Sequence, residues 1–141
     1  MNIPDSKEPQ EWLEKAQHDL IAAQTLLEHG GHADTIVVHC HQAAEKALKA
    51  ALLGMGVDYP FTHDLLLLLQ SCIEKDVSFG ALKDMGMRLS PLYEKERYPF
   101  MGTEESYTSR ELRKFVRMAQ EVVEFVQEKI NSVDDFFKIL I

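Results

Sequence analysis

His39-Cys40-His41-Gln42-Ala43-Ala44-Glu45-Lys46-Ala47-Leu48-Lys49-Ala50-Ala51-Leu52-Leu53 is the stretch whose reading decides the architecture. At about 100° per residue on a helical wheel, Ile36, Val37, Cys40, Ala43, Ala44, Ala47, Leu48, Ala51 and Leu52 share one broad apolar sector. His39, Gln42, Glu45, Lys46 and Lys49 gather on the other side. The stretch is therefore an amphipathic helix, and its apolar face is rich in alanine, so another helix can approach closely. The polar face has two readings. One is a solvated stripe with an i,i+4 Glu45–Lys49 pair, worth roughly 0.2–0.5 kcal/mol. The other is a surface kept for a partner or a ligand.

On the N-terminal side, residues 1–8 are polar and proline-punctuated and are expected to be disordered. Pro9 suits the first turn of a helix. From there Trp12, Ala16, Leu20, Ala23 and Leu27 recur at helical spacing until Gly30-Gly31, where glycine can form a left-handed cap. The central helix is expected over about residues 32–55, stopping at Gly54 and Gly56. Pro60 forbids helix just before it, so residues 57–61 form an irregular connection.

On the C-terminal side, Thr62 is the expected N-cap of a third helix, with Asp64 in its first turn and a five-leucine run at Leu65 to Leu69. Ser78 is the expected cap of a fourth helix through Ala81, Leu82, Met85, Leu89 and Leu92 that cannot pass Arg97-Tyr98-Pro99. Residues 100–108 read as a loop. The last long helix starts between Ser106 and Arg110, with Leu112, Phe115, Val116, Ala119, Val122, Val123, Val126 and Ile130 on its apolar stripe. Arg110, Arg113, Lys114 and Arg117 occupy its first half, and Glu121, Glu124 and Glu128 follow. That order opposes the helix dipole, which favours acid at the N-terminus and base at the C-terminus, so those basic groups have another use. Residues 132–141 are an apolar tail expected to fold back on the bundle or pack on another subunit. No run alternates with strand periodicity. The fold class is all-α, an up-and-down bundle of four to five antiparallel helices spanning residues 9–131.

The chain's 141 residues fit one domain able to bury a sizeable core without a metal or disulfide staple. Its 15 Lys and Arg against 23 Asp and Glu give a net charge of −8, which argues against a general nucleic-acid binder. The two cysteines, Cys40 and Cys72, form no Cys-x-x-Cys pair and read as small buried hydrophobes. No signal peptide and no membrane-length apolar run is seen, and the expected setting is cytoplasmic.

Six histidines raise the question of metal or catalysis. His39 and His41 are two apart and point to different sides of a helix, and no His-x-x-x-His or Cys–His cluster occurs, so neither a metal site nor a cofactor is expected. No phosphate-cradling glycine loop or nucleophile elbow is present. Two sets of residues remain. His63 at the start of the third helix fixes loop geometry or faces a site. Tyr93, Arg97 and Tyr98 place a five-donor guanidinium beside stacking surfaces, which suits phosphate or a nucleobase, or else closes a helix end.

Taken together these residues resemble the HEPN domain family. The matching features are Trp12, Ala16 and Asp19-Leu20 in the first helix, and His41-Gln42-Ala43-Ala44-Glu45-Lys46-Ala47-Leu48-Lys49 in the second. Thr62-His63-Asp64-Leu65 opens the third, and Tyr93 with Arg97-Tyr98-Pro99 ends the fourth. The resemblance implies a helical bundle that commonly dimerises and, in prokaryotes, is often paired with a minimal nucleotidyltransferase, frequently as toxin and antitoxin. It also implies, for many members, a metal-independent ribonuclease built on Arg-x(4–6)-His. Here the last histidine is His63 and the first arginine is Arg88, so no arginine precedes a histidine and the usual proton shuttle is missing.

The resulting expectation is a non-catalytic homodimer that binds a nucleotide or pairs with a nucleotidyltransferase. Arg97, Tyr98, Tyr93, His63, Gln42, Glu45, Lys46 and Lys49 are its candidate ligand-binding residues. The alternatives are a ribonuclease with a nonstandard active site at His63, His41 or a tyrosine, using the basic cluster from Arg110 to Arg117 to hold RNA, and a scaffold for self-association.

Overall fold

In the computed structural model, residues 7–93 and 107–140 are described, with side chains through residue 132. Helix α1 (Pro9–Glu28) and helix α2 (Ala33–Gly54) form a hairpin. Helix α3 (Leu65–Lys75) is followed by a 3-10 segment (Val77–Leu82), the short helix α4 (Lys83–Leu89) and the long helix α5 (Ser109–Leu140). No strand occurs among the described residues. The all-α bundle expected from the sequence is the fold observed.

α2 is the central strut and packs against α1, α3, α4 and α5. Every residue assigned to its apolar sector is buried, and Ala43, Ala44, Ala47, Ala50 and Ala51 let the neighbouring helices close in around it. α1 and α5 run antiparallel beside it. Gln17 donates to Gln127 at 2.6 Å and Gln24 to Gln120 at 3.5 Å, so the pairing order is reversed between the two helices. Phe79, the largest of the fully buried side chains, meets Phe125 edge-on with ring centroids 5.0 Å apart.

Helix ends follow local chemistry. α1 and α2 both close through glycines with positive φ, Gly30 at 69° and Gly56 at 75°. Gly31 N–H then donates to the Leu26 carbonyl (2.6 Å) and Val57 N–H to that of Leu52 (2.9 Å), which is the Schellman pattern. α5 opens with a reciprocal capping box. Glu111 N–H donates to Thr108 Oγ1 (3.1 Å) and Thr108 N–H to Glu111 Oε1 (3.0 Å).

Several expectations need correction. The N-cap of α3 is Asp64, whose carboxylate accepts from the Leu66 and Leu67 amides, while Thr62 Oγ1 accepts from Asp64 N–H one step earlier. A carboxylate is the stronger acceptor, so it takes the helix end and the hydroxyl sets the turn before it. Asp76, not Ser78, caps the following segment, with the Ser78 amide and hydroxyl both donating to it. Those bonds, with Lys129 of α5 at 3.0 Å, hold the Asp76 carboxyl down at about 2. The fourth helix is broken into a 3-10 turn and seven α-helical residues, because Gly80 and Gly86 weaken it. Gly86 is also a close approach: a Cβ there would sit 3.0 Å from Leu69 Cδ2.

At the C-terminus the backbone does not fold back. α5 continues to Leu140, since no glycine or proline follows Thr103 to stop it. At the N-terminus Lys7 lies 3.5 Å from Asp58. Glu8, in the same segment, is the N-cap of α1; residues 1–6, and residues 94–106 with Arg97 and Tyr98, lie outside the described residues.

Gly56→Ala should cost roughly 1 kcal/mol, the penalty of a Cβ at positive φ, and lower the thermal midpoint by roughly 3 °C. Melting followed by circular dichroism checks it. An unchanged midpoint would mean that the turn relaxes at no cost.

Candidate functional site

The polar face of α2 is not the solvated stripe that its wheel suggests. Glu45 is 2% exposed and Lys49 7%, and His41 beside them is 1% exposed. Neighbouring segments supply the cover. Lys49 Nζ lies 3.1 Å from Glu45 Oε2 and sits over the rings of Trp12 and Tyr59, at 5.1 Å and 5.2 Å from their centroids. Trp12 and Tyr59 meet edge to face at 5.6 Å. Lys49 is thus enclosed by one carboxylate and two π faces, which together offset part of its lost hydration.

On its other side Glu45 holds His63. The His63 Nδ1 atom lies 3.2 Å from Glu45 Oε1 and 3.1 Å from Oε2. Nδ1 is thereby engaged, while 58% of the His63 side chain is exposed. Asp64 and Thr62 fix the chain on either side of this histidine through the cap of α3. Tyr93 stacks on His63 with ring centroids 5.0 Å apart and planes 15° from parallel, and it also contacts the buried His41 ring at 5.0 Å. The result is a column of rings, His41, Tyr93 and His63, running from the core to the surface.

Beside that column is a cleft of about 440 Å³ lined by Thr62, His63, Asp64, Leu66, Met87, Ser90, Pro91 and Tyr93. It offers a carboxylate, two hydroxyls and an aromatic wall next to the exposed side chains of Leu66 and Met87. A second hollow of about 350 Å³ lies among Pro9, Ala51, Leu53, Met55, Phe79 and Ile130. Its apolar lining carries polar groups only at Gln10 and the Asp76–Lys129 pair. The first cleft is the candidate site, since it joins several polar groups to the His63–Tyr93 stacking surface.

His41 is a buried polar ring in the core. Neither ring nitrogen has a hydrogen-bond partner among the described residues, and the nearest carboxylate oxygen, Glu45 Oε1, is 3.8 Å from Nδ1. Burial pushes its pKa down to about 4; His63 adds to that shift, while Glu45 and Asp64 oppose it. The ring is a neutral part of the core at neutral pH. Burial also pushes the Cys40 and Cys72 thiols up to about 12, so both cysteines are inert packing groups.

Of the residues singled out from the sequence, the fold brings Glu45, Lys49, His63 and Tyr93 into one connected network. Lys46 belongs elsewhere: its Nζ lies 2.7 Å from Asp19 Oδ2 of α1, and His39 Nδ1 lies 2.8 Å from Asp19 Oδ1. Gln42 is half-buried on the same helix. Arg97 and Tyr98 lie outside the described residues. Sequence reasoning did not assign Trp12, Tyr59 and Asp19 as the groups that close over α2. The signal available was an aromatic in the first turn of α1 and another in the α2–α3 connection, together with an acid on α1.

The HEPN domain family model matches residues 9–130. Among solved structures, TT1696 from Thermus thermophilus is 32% identical, with 88% of this chain and 99% of that chain covered and a TM-score of 0.77. ST0689, described as an archaeal HEPN homologue, is 22% identical over 89% of this chain and 99% of its own, with a TM-score of 0.70, and shares the fold. No curated protein matches.

Two outcomes are expected from this geometry. Glu45→Leu strands a buried ammonium and should cost roughly 3–5 kcal/mol, while Glu45→Leu with Lys49→Met should recover much of it. Denaturant unfolding read by Trp12, the single tryptophan, measures both; a double variant no more stable than Glu45→Leu would show that the stranded ammonium is not what the loss comes from. His41 sets a pH dependence. Below 6.5 the unfolded chain protonates this residue, whereas the folded chain does so only near 4. Stability contributed above 6.5 is therefore lost as pH falls across that window, by roughly 3 kcal/mol in all. His41→Leu should flatten the midpoint against pH between those limits, and an equally steep profile would contradict it.

Proposed function

The chain belongs to the HEPN domain family, and from that premise we propose that it is a non-catalytic, homodimeric module that binds a nucleotide at the His63–Tyr93 cleft and pairs with a minimal nucleotidyltransferase. The observation that carries the nucleotide half is the His63–Tyr93 stack at the cleft wall, with His63 more than half exposed and anchored from behind by a buried carboxylate. A flat ring held in one orientation is a stacking platform for a base, and such stacks are worth roughly 1–3 kcal/mol each. The hydroxyls of Thr62 and Ser90 and the Asp64 carboxylate supply hydrogen-bonding groups for a base edge or ribose. Arg97 and Tyr98, close in sequence to Tyr93, are the candidates for the phosphate. Glu45 acts in this reading as the rigid backing of the cleft through its contact with His63, with Lys49 paired to it from behind. HEPN domains often form dimers, and the pairing half extends that habit to a second protein.

A second reading has one observation in its favour. A carboxylate gripping Nδ1 of an imidazole, with no partner for Nε2 among the described residues, is the arrangement that prepares a histidine as a proton acceptor. On that reading His63 serves a metal-independent ribonuclease without the Arg-x(4–6)-His motif.

Isothermal titration with ATP and GTP, repeated with His63→Ala and Arg97→Ala, separates the two. Saturable binding by one nucleotide, weakened about tenfold in His63→Ala, supports the module; no heat with either ends the nucleotide half. Co-purification with the product of the neighbouring gene tests the pairing half. Metal-free cleavage of tRNA that vanishes in His63→Ala would establish the ribonuclease instead.

A further inference from the structure

Six charged residues of α5 recur at four- and three-residue intervals: Arg110, Lys114, Arg117, Glu121, Glu124 and Glu128. At about 100° per residue they fall within an arc of roughly 80°. All six are exposed, and their arc lies opposite the buried row of Leu112, Val116, Ala119, Val123, Val126 and Ile130. The stripe is the outermost ridge of a helix whose other side is fully used by the bundle. Among the described residues none of the six makes an ion pair within the chain; the one side-chain hydrogen bond they make is Glu124 accepting from Gln120 at 2.8 Å, and Lys114 acts on the neighbouring Glu111 only through its charge.

The signs along the stripe are segregated, base in the N-terminal half and acid in the C-terminal half, against the helix dipole. Segregation has one geometric consequence. When two copies of α5 lie antiparallel about a two-fold axis at the level of Ala119, residues equally distant from Ala119 come level with each other. Arg110 then meets Glu128, Lys114 meets Glu124, and Arg117 meets Glu121, each twice by symmetry. Every pair is opposite in sign, and every one of the six residues is used. A parallel pairing would set like against like at all six levels. The two helix dipoles also run antiparallel, which adds attraction rather than repulsion. The stripe spans roughly 27 Å at about 1.5 Å rise per residue, long enough to define a register.

We propose that the exposed face of α5 is the contact surface for a second copy of this chain, an isologous antiparallel helix pair centred on Ala119 and held by self-complementary charge. The inference rests on the homodimer reading above and assigns it a surface. An interface made of exposed ion pairs is salt-sensitive, unlike one made of apolar surface. It also differs from a docking site for nucleic acid or for another protein on the basic half, because both halves of the stripe are required.

The experiment uses the full chain in analytical ultracentrifugation. An all-acidic stripe is made by Arg110→Glu, Lys114→Glu and Arg117→Glu, and an all-basic stripe by Glu121→Lys, Glu124→Lys and Glu128→Lys. A control with the first variant's net charge carries Lys15→Glu, Lys75→Glu and Lys83→Glu on exposed sites of other helices. The expected result is a wild-type dimer weakened at least about tenfold between about 0.05 M and about 1 M salt, a control that still dimerises, two stripe variants that are monomeric alone, and a one-to-one mixture of them that forms a heterodimer. Arg117→Glu with Glu121→Arg exchanges one facing pair at constant net charge, and should dimerise better than either single substitution. Circular dichroism confirms that each variant folds. Stripe variants that dimerise like wild type would overturn the inference and leave the homodimer reading intact, placing the interface elsewhere. Monomeric variants whose mixture stays monomeric would also overturn it. A wild-type chain that is monomeric throughout would sink the homodimer reading itself.

Discussion

A carboxylate taken out of water must be met by cations or donors, and Glu45 is such a carboxylate, 2% exposed on the central helix. Much of the arrangement around α2 follows from meeting that need. Lys49 comes from the same helix one turn on, and His63 comes from the segment before α3. Lys49 in turn needs cover, which Trp12 of α1 and Tyr59 of the connection provide with their ring faces. One buried charge thus ties α1, α2, the irregular connection and the start of α3 into a single unit. It also fixes the orientation of the ring that borders the cleft.

The remainder of the frame is apolar and close-packed. Small residues on α2 let α1 and α5 approach, and the glutamine pairs between α1 and α5 satisfy the polar groups at that seam. The cleft is therefore bordered by groups set on or beside capped helices: Asp64 caps α3, and His63 is held through both oxygens of Glu45. A ring fixed in this way loses little side-chain entropy when a flat ligand stacks on it, which favours recognition by a preformed surface. The exposed ridge of α5 is a different kind of surface. Among the described residues its charges make no ion pair within the chain, and their order opposes the dipole of their own helix.

Much of the fold was legible before any coordinates. The 3.6-residue repeat placed α1, α2 and the start of α5 within a few residues, and the glycines after α1 and α2 marked their ends. The capping box of α5 stood in the sequence as Thr108-x-x-Glu111 and was not read. Neighbouring candidates misled at two other starts: Thr62 competes with Asp64, and Ser78 with Asp76, and in both the carboxylate wins because it is the better acceptor at the positive end of a helix. Gly80 and Gly86 hinted at the broken fourth helix, but composition does not say where a weak helix divides. The continuation of α5 to Leu140 was hidden by the apolar character of its last residues, which suggested a separate tail.

For the site, the division falls along the line between periodicity and packing. The sequence by itself determined that Gln42, Glu45, Lys46 and Lys49 share one side of a helix, that no histidine follows an arginine, and that the signs on α5 are segregated; each is a property of order and spacing along one chain. It did not determine that the polar side of α2 is covered. A helical wheel describes one helix in isolation, whereas burial depends on what other segments place against it. Trp12, Asp19, Tyr59, His63 and Tyr93 lie outside α2 in sequence, Tyr93 52 positions from the His41 it contacts, and reach α2 only through the bundle. Tertiary structure alone separated Lys46, paired with Asp19, from Lys49, enclosed behind Glu45, because residues three apart on a helix face different neighbours.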